Sequence, residues 1–159
     1  MVQINQQKTI AIRNKTTVIP STFSGHGKVG DFEWMIEQPE YERTLFIFND
    51  NEEDFDAFVN GQSSGFSRGG GNAVIRPFRK ESPPRAAGVP TGKSGRGYSS
   101  LDEQTKAKID QAIAVIADLL EHCDSVVFSS NSQQTKIGTG IFSVDPAVKR
   151  YIFEQLKNL

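Results

Sequence analysis

Residues 44–51 read Thr-Leu-Phe-Ile-Phe-Asn-Asp-Asn. Five consecutive residues that are nearly all apolar, ended abruptly by three polar ones, predict a central strand covered on both faces rather than a half-solvated edge. Working outward, Ser125 to Phe128 (Ser-Val-Val-Phe) reads as a second buried strand and Ala86 to Pro90 as a weaker one. Upstream, Lys8 to Ile12 and Thr16 to Ile19 are β-branched runs parted by Asn14 and Lys15, an opening pair of strands.

Helices are expected between and after these strands. Ser100 with Glu103 forms a capping box, and Leu101, Ile109, Ile113, Ile116 and Leu120 then fall on one face of a helix running to about Glu121. Asp145 caps a last helix with Pro146 at its first position, and Val148, Tyr151, Ile152 and Leu156 are its apolar stripe. Asn72 to Phe78 suits a short helix limited by Pro77, whereas Glu52 to Gly71 reads as the longest irregular stretch. Alternating strands and helices imply an α/β fold with a central sheet sandwiched between helices. Ligands of such sheets sit beyond the carboxyl ends of the strands, where Asn49 to Asn51 and Ser129 to Phe142 must lie.

A chain of 159 residues fits one domain over 1–159, and 36% hydrophobic with 23% charged residues suits a water-soluble globule. A net charge of -1 supplies no global basic field, which argues against long nucleic acid as partner. The amino terminus lacks the apolar stretch of a signal peptide and no run reaches membrane-span length, so the expected location is cytoplasmic. The single cysteine, Cys123, excludes an internal disulfide and multi-cysteine metal sites, and with only His26 and His122 as imidazoles neither metal nor cofactor is expected.

Two glycine loops are the candidates for chemistry. Gly69-Gly70-Gly71 before a short helix offers backbone amides beside a helix amino terminus, an arrangement that attracts phosphate, or else marks a flexible loop. Lys136 to Phe142 (Lys-Ile-Gly-Thr-Gly-Ile-Phe) permits close backbone approach to a ligand with Phe142 over a sugar or base; alternatively Ile141 and Phe142 plug into the core. Gly92-Lys93-Ser94 is a decoy for a nucleotide-triphosphatase loop, because Ala87 stands where that motif needs its first glycine and Gly95 and Gly97 replace its helix. Asn49, Asp50 and Asn51 are either ribose-orienting groups or turn residues, with Asp50 the better acid/base candidate than His26, a solvated bystander.

The order of these segments resembles the macro-domain family over about Gly30 to Leu159, and in particular the small divergent macro-like proteins of T4-type bacteriophages. Gly30-Asp31-Phe32 is similar to the family's Gly-Asp-Ile segment, whose aspartate binds the adenine amino group. Residues 44–51 resemble its strand ending in Asn-Ala-Ala-Asn, with Asn51 in place of the final asparagine, which contacts the distal ribose and helps catalysis, and Phe48 in place of the first. Arg68 to Ile75 is similar to its glycine run and short helix. Asn72 falls at a position that is acidic in many de-ADP-ribosylating members, and a carboxamide cannot act as a general base. Gly88 to Gly92 resembles a Pro-Thr-Gly segment, and Gly138-Thr139-Gly140-Ile141-Phe142 most closely resembles the Ser-Thr-Gly-Ile-Phe diphosphate loop.

The resemblance implies a three-layer macro-like fold with a central mixed sheet, and a site that binds ADP-ribose or a derivative, free or on an ADP-ribosylated protein. Asp31 and Phe32, Gly69, Gly70 and Gly71, Ser129, and Gly138, Thr139, Gly140, Ile141 and Phe142 are its expected ligand contacts. Asn51, Asn72 and Asp50 are the expected catalytic set for hydrolysis of ADP-ribose 1″-phosphate or removal of ADP-ribose. The alternatives are a binder without catalysis that sequesters ADP-ribose-derived nucleotides, and a protein-interaction module whose cleft is vestigial.

Overall fold

In the computed structural model of the protein, residues 16–140 and 142–159 are described; the strand expected over Lys8 to Ile12 lies outside them. The strands are β1 (Thr17–Ser21), β2 (Thr44–Asp50), β3 (Ala86–Pro90), β4 (Gly92–Lys93), β5 (Arg96–Gly97) and β6 (Ser125–Ser129). The α-helices are α1 (Phe32–Met35), α2 (Glu52–Val59), α3 (Glu103–Leu119) and α4 (Pro146–Lys157). Four strands form one sheet in the order β1-β6-β2-β3, every neighbouring pair parallel, while β4 and β5 make a separate antiparallel hairpin. The expected sheet was mixed. Its four described strands are joined only by long crossovers, which return the chain to the same end of the sheet and so give parallel pairing.

β2 is the central strand its composition predicts, and its alternation divides the core. Leu45 and Ile47 join Val126 and Phe128 of β6, Ile109, Ala112 and Ile116 of α3, and Val148, Ile152 and Leu156 of α4. Phe46 and Phe48 project to the other face and meet Val127, Ala86, Phe32 and Met35 of α1, and Ile75. Each such large side chain, fully buried, contributes about 1.5–3 kcal/mol relative to exposure. Among the described residues no helix is long and apolar enough to cross a membrane.

Three elements differ from expectation. Glu52–Val59 is a helix, not loop: Asn51 Oδ1 accepts from the Asp54 N–H at 2.7 Å, three acidic residues occupy the first turn, and Phe55 and Ala57 are buried. α3 is capped by Asp102 rather than Ser100; its carboxylate accepts from the Thr105 N–H at 2.8 Å, and a full negative charge at a helix amino end interacts better with the helix dipole than a hydroxyl two residues earlier. The segment expected as a short helix after the triple glycine is a 3-10 run, Gly71–Lys80, with Pro77 inside it.

The topology positions the site. The chain steps from β1 past β6 to β2 and β3, then reverses to insert β6 between β1 and β2. Right-handed crossovers taken in opposite directions lie on opposite faces. α1 accordingly packs with Phe46 and Phe48, and α3 with Leu45 and Ile47. Where neighbouring strands send their chains to opposite faces, a crevice opens at the carboxyl ends. β1 leaves towards α1 and β6 towards α4, which puts residues 22–31 and 130–140 at that end of the sheet.

Candidate functional site

Asn49, one residue before the end of β2, ties the two glycine turns together. Its backbone N–H donates to Oδ1 of Asn72 at 2.8 Å, and its Nδ2 donates to the carbonyl of Gly138 at 2.6 Å. Asn72 directly follows the triple glycine and Gly138 opens the Gly-Thr-Gly turn, so both turns stand at one end of the sheet, held by the backbone and the side chain of a single residue. Asn49→Ala removes the donor to Gly138 and is expected to lower stability by about 0.5–1.5 kcal/mol, the usual net contribution of one hydrogen bond, this one being part-buried. Urea unfolding measures that loss.

The turns keep donors to spare. Among the described residues the N–H groups of Gly70, Gly71 and Thr139 meet no acceptor. Gly71 at φ 57 and Gly140 at φ 61 are left-handed, and a Cβ added at Gly70, Gly71 or Gly140 would meet nothing within 4 Å. Gly138 is different: a Cβ there would lie 2.9 Å from Ser129 Oγ, so the turn lies hard against the end of β6. The Gly138 N–H donates to the Ser129 carbonyl at 3.0 Å, and Thr139 Oγ1 closes the turn by donating to the Phe142 carbonyl at 3.2 Å. Phe142 is 55% exposed and does not plug the core; Ile141 lies outside the described residues.

Several expected site residues are engaged elsewhere. Phe32 is 2% exposed and packs edge-on against Phe46, so it is a core residue and not a ligand contact. Asp31 caps α1 and accepts from the Gly27 N–H at 2.8 Å, which shapes the loop after β1 while leaving half of the carboxylate's acceptor sites open. The carboxamide of Asn51 makes both of its bonds to Asp54. His26 is exposed and lies edge-on to Phe23.

Asp50 is the largest correction. Its side chain is fully buried, with Oδ1 2.9 Å from Arg76 Nη2 and Oδ2 2.7 Å from Arg79 Nη2. A carboxylate held by two guanidiniums and shut off from solvent is an anchor, not an acid/base. Arg76 Nη1 donates to the Ser67 carbonyl at 3.1 Å and Arg79 Nη1 to the Gly65 carbonyl at 2.9 Å, so the cluster fastens the loop that leads into the triple glycine. Both guanidiniums lie over the Phe48 ring, and Arg79 also lies 4.1 Å from the centroid of Phe58. Burial lowers the Arg79 pKa, and Asp50 opposes that shift. Asn49, Arg76 and Arg79 carry no short-range motif; only the folded chain brings 76 and 79 to 50.

A hollow of about 230 Å³ opens at the opposite end of the sheet, beside Arg43, Arg85 and Cys123. It is weak as a competing site: Arg85 there donates to the carbonyls of Ile36, Tyr41 and Thr44, and Arg43 pairs with Asp124. Burial pushes the Cys123 thiol up to about 11. Its alkylation in the native protein is therefore expected to be slow near neutrality and to accelerate with pH towards that value; a thiol reacting fast at pH 7 would contradict its partly buried place against the core that α3 and α4 cover.

No family model, no curated protein and no solved structure matches the chain.

Proposed function

We propose that the chain binds ADP-ribose or a close derivative in the crevice beyond the carboxyl ends of β1, β6 and β2, within a three-layer macro-like arrangement. The observation that supports this most is Asn49, whose two hydrogen bonds gather the triple-glycine and Gly-Thr-Gly turns around one point. In this reading one diphosphate lies between the Gly69–Gly71 and Gly138–Gly140 turns and takes the unspent amides of Gly70, Gly71 and Thr139, since free N–H groups in such turns favour anions. Asp31 receives the adenine amino group, Ser129 and Phe142 border the sugar, and Asn72, with Asn51 beside it, faces the distal ribose.

Binding without turnover is favoured over hydrolysis of the 1″-phosphate. Asp50 is sealed in its ion pairs, the Asn51 amide is spent on Asp54, and the Asn72 oxygen is taken by the Asn49 N–H. None of the three is left to move a proton, so the chain sequesters its nucleotide, free in the cytoplasm or carried on a modified protein. Titration calorimetry with ADP-ribose, run beside a phosphate-release assay on ADP-ribose 1″-phosphate, is expected to show one-site binding and no release. Released phosphate would restore the hydrolase, and absence of heat with either nucleotide would end the nucleotide reading in favour of a protein-interaction module.

A further inference from the structure

Arg68 stands immediately before the triple glycine, and the backbone is tied down on both sides of it. The Ser67 carbonyl accepts from Arg76 Nη1 at 3.1 Å, and the Gly69 N–H donates to the Ala73 carbonyl at 3.0 Å. The root of the Arg68 side chain is therefore fixed, while the side chain itself turns outward and is 64% exposed. Its Nη2 lies 2.9 Å from Oε1 of Glu33, in the first turn of α1. That helix is a neighbour of the glycine run by packing as well, because Phe32 and Met35 share a buried cluster with Ala73 and Ile75. The guanidinium thus spans the gap between the triple-glycine turn and the amino end of α1, which Asp31 caps.

As a structural contact the pair does little. Both side chains are more than half exposed, and solvent and salt weaken an ion pair in such a setting. Nor does it use up the arginine: among the described residues only Nη2 of its guanidinium meets an acceptor. Asp31 and Glu33 meanwhile set two carboxylates beside any anion drawn to the unspent amides of Gly70 and Gly71. An anion seated there needs a cation close by. Gly70 is two residues from Arg68, at most about 7 Å even along extended chain, which an arginine side chain can cover. A phosphate can accept two parallel N–H bonds from a guanidinium, and in a turn partly closed to water the attraction is stronger than to a solvated carboxylate.

We propose that Arg68 is a charge contact of the bound diphosphate, held in reserve by Glu33. In the free chain the guanidinium lies against α1, and on binding it exchanges the Glu33 carboxylate for a phosphate oxygen. The exchange rests on the nucleotide reading above and adds to it a side chain that tells a diphosphate from a neutral ligand of the same shape. Glu33 is then an internal competitor, which the diphosphate must displace.

The test measures ADP-ribose affinity by calorimetry for the parent protein, Arg68→Gln, Glu33→Gln and the double variant. Arg68→Gln is expected to bind about tenfold or more weakly, through loss of a charge-assisted contact. Glu33→Gln frees the guanidinium and should bind about two- to fivefold more tightly, in keeping with the small worth of an exposed pair. The double variant should stay weaker than the parent, since its arginine is missing as a contact; an arginine that only masked Glu33 would be dispensable once Glu33 is gone. Melting temperatures should remain near the parental value, both side chains being exposed. Parental affinity in Arg68→Gln or in the double variant, or no gain in Glu33→Gln, overturns the exchange while the nucleotide site stands. Failure of the parent to bind ADP-ribose overturns both.

Discussion

Asp50→Ala is expected to lose about 3–5 kcal/mol of stability, because it strands two buried guanidiniums without their shared counter-charge. Domains of ordinary stability hold only ~5–15 kcal/mol in total, so the variant should unfold at far lower urea or be recovered largely unfolded. Asp50→Asn preserves the volume but supplies no charge, and should fall nearly as far. The cost is high because Arg76 and Arg79 are both 4% exposed and their Nε atoms already lack partners. A triple replacement, Asp50→Leu with Arg76→Met and Arg79→Met, should recover much of the loss, since exchanging a whole buried ionic cluster for apolar groups is often neutral. It would not recover the loop: without guanidiniums on the carbonyls of Ser67 and Gly65, the approach to the triple glycine loosens and ligand affinity falls. Wild-type stability in Asp50→Asn would return this residue to the acid/base role its place at a strand end suggested.

Asp50 also marks where sequence reading stopped. β2, β3, β6, α3 and α4 were legible because uninterrupted apolar runs and 3.6-residue stripes leave one way to bury a face. α2 was missed because its composition is polar, although Asn51 three residues before Asp54 and the spacing of Phe55 and Phe58 were a helix start in plain form. The cap of α3 moved by two residues because Ser100 and Asp102 both precede helix-compatible partners, and only charge separates them. The two glycine turns could be named from sequence, but their joining could not: Asn49 reaches Asn72 over 23 residues and Gly138 over 89. Phe32 shows the hazard of reading a role from a neighbour, since the residue after a capping aspartate on α1 points into the core.

Gly140→Glu should abolish most nucleotide affinity while leaving the fold intact. A side chain at φ 61 costs about 1–2 kcal/mol of backbone strain. Nothing lies within 4 Å of the added Cβ, so no core contact is displaced. The effect on binding is electrostatic and steric together. Two unit charges about 4 Å apart repel by roughly 4 kcal/mol at the effective dielectric of a protein surface, and even after partial screening by salt the loss should reach about a hundredfold in Kd. Gly140→Ala separates the causes, because it carries the strain without the charge and should bind within a few-fold of the parent protein. Calorimetry with ADP-ribose on the folded variants reads both outcomes, and higher salt should recover part of the Glu defect alone. If the Glu variant keeps parental affinity, the diphosphate does not sit on this turn, and the link that Asn49 makes between the two loops serves stability rather than a ligand.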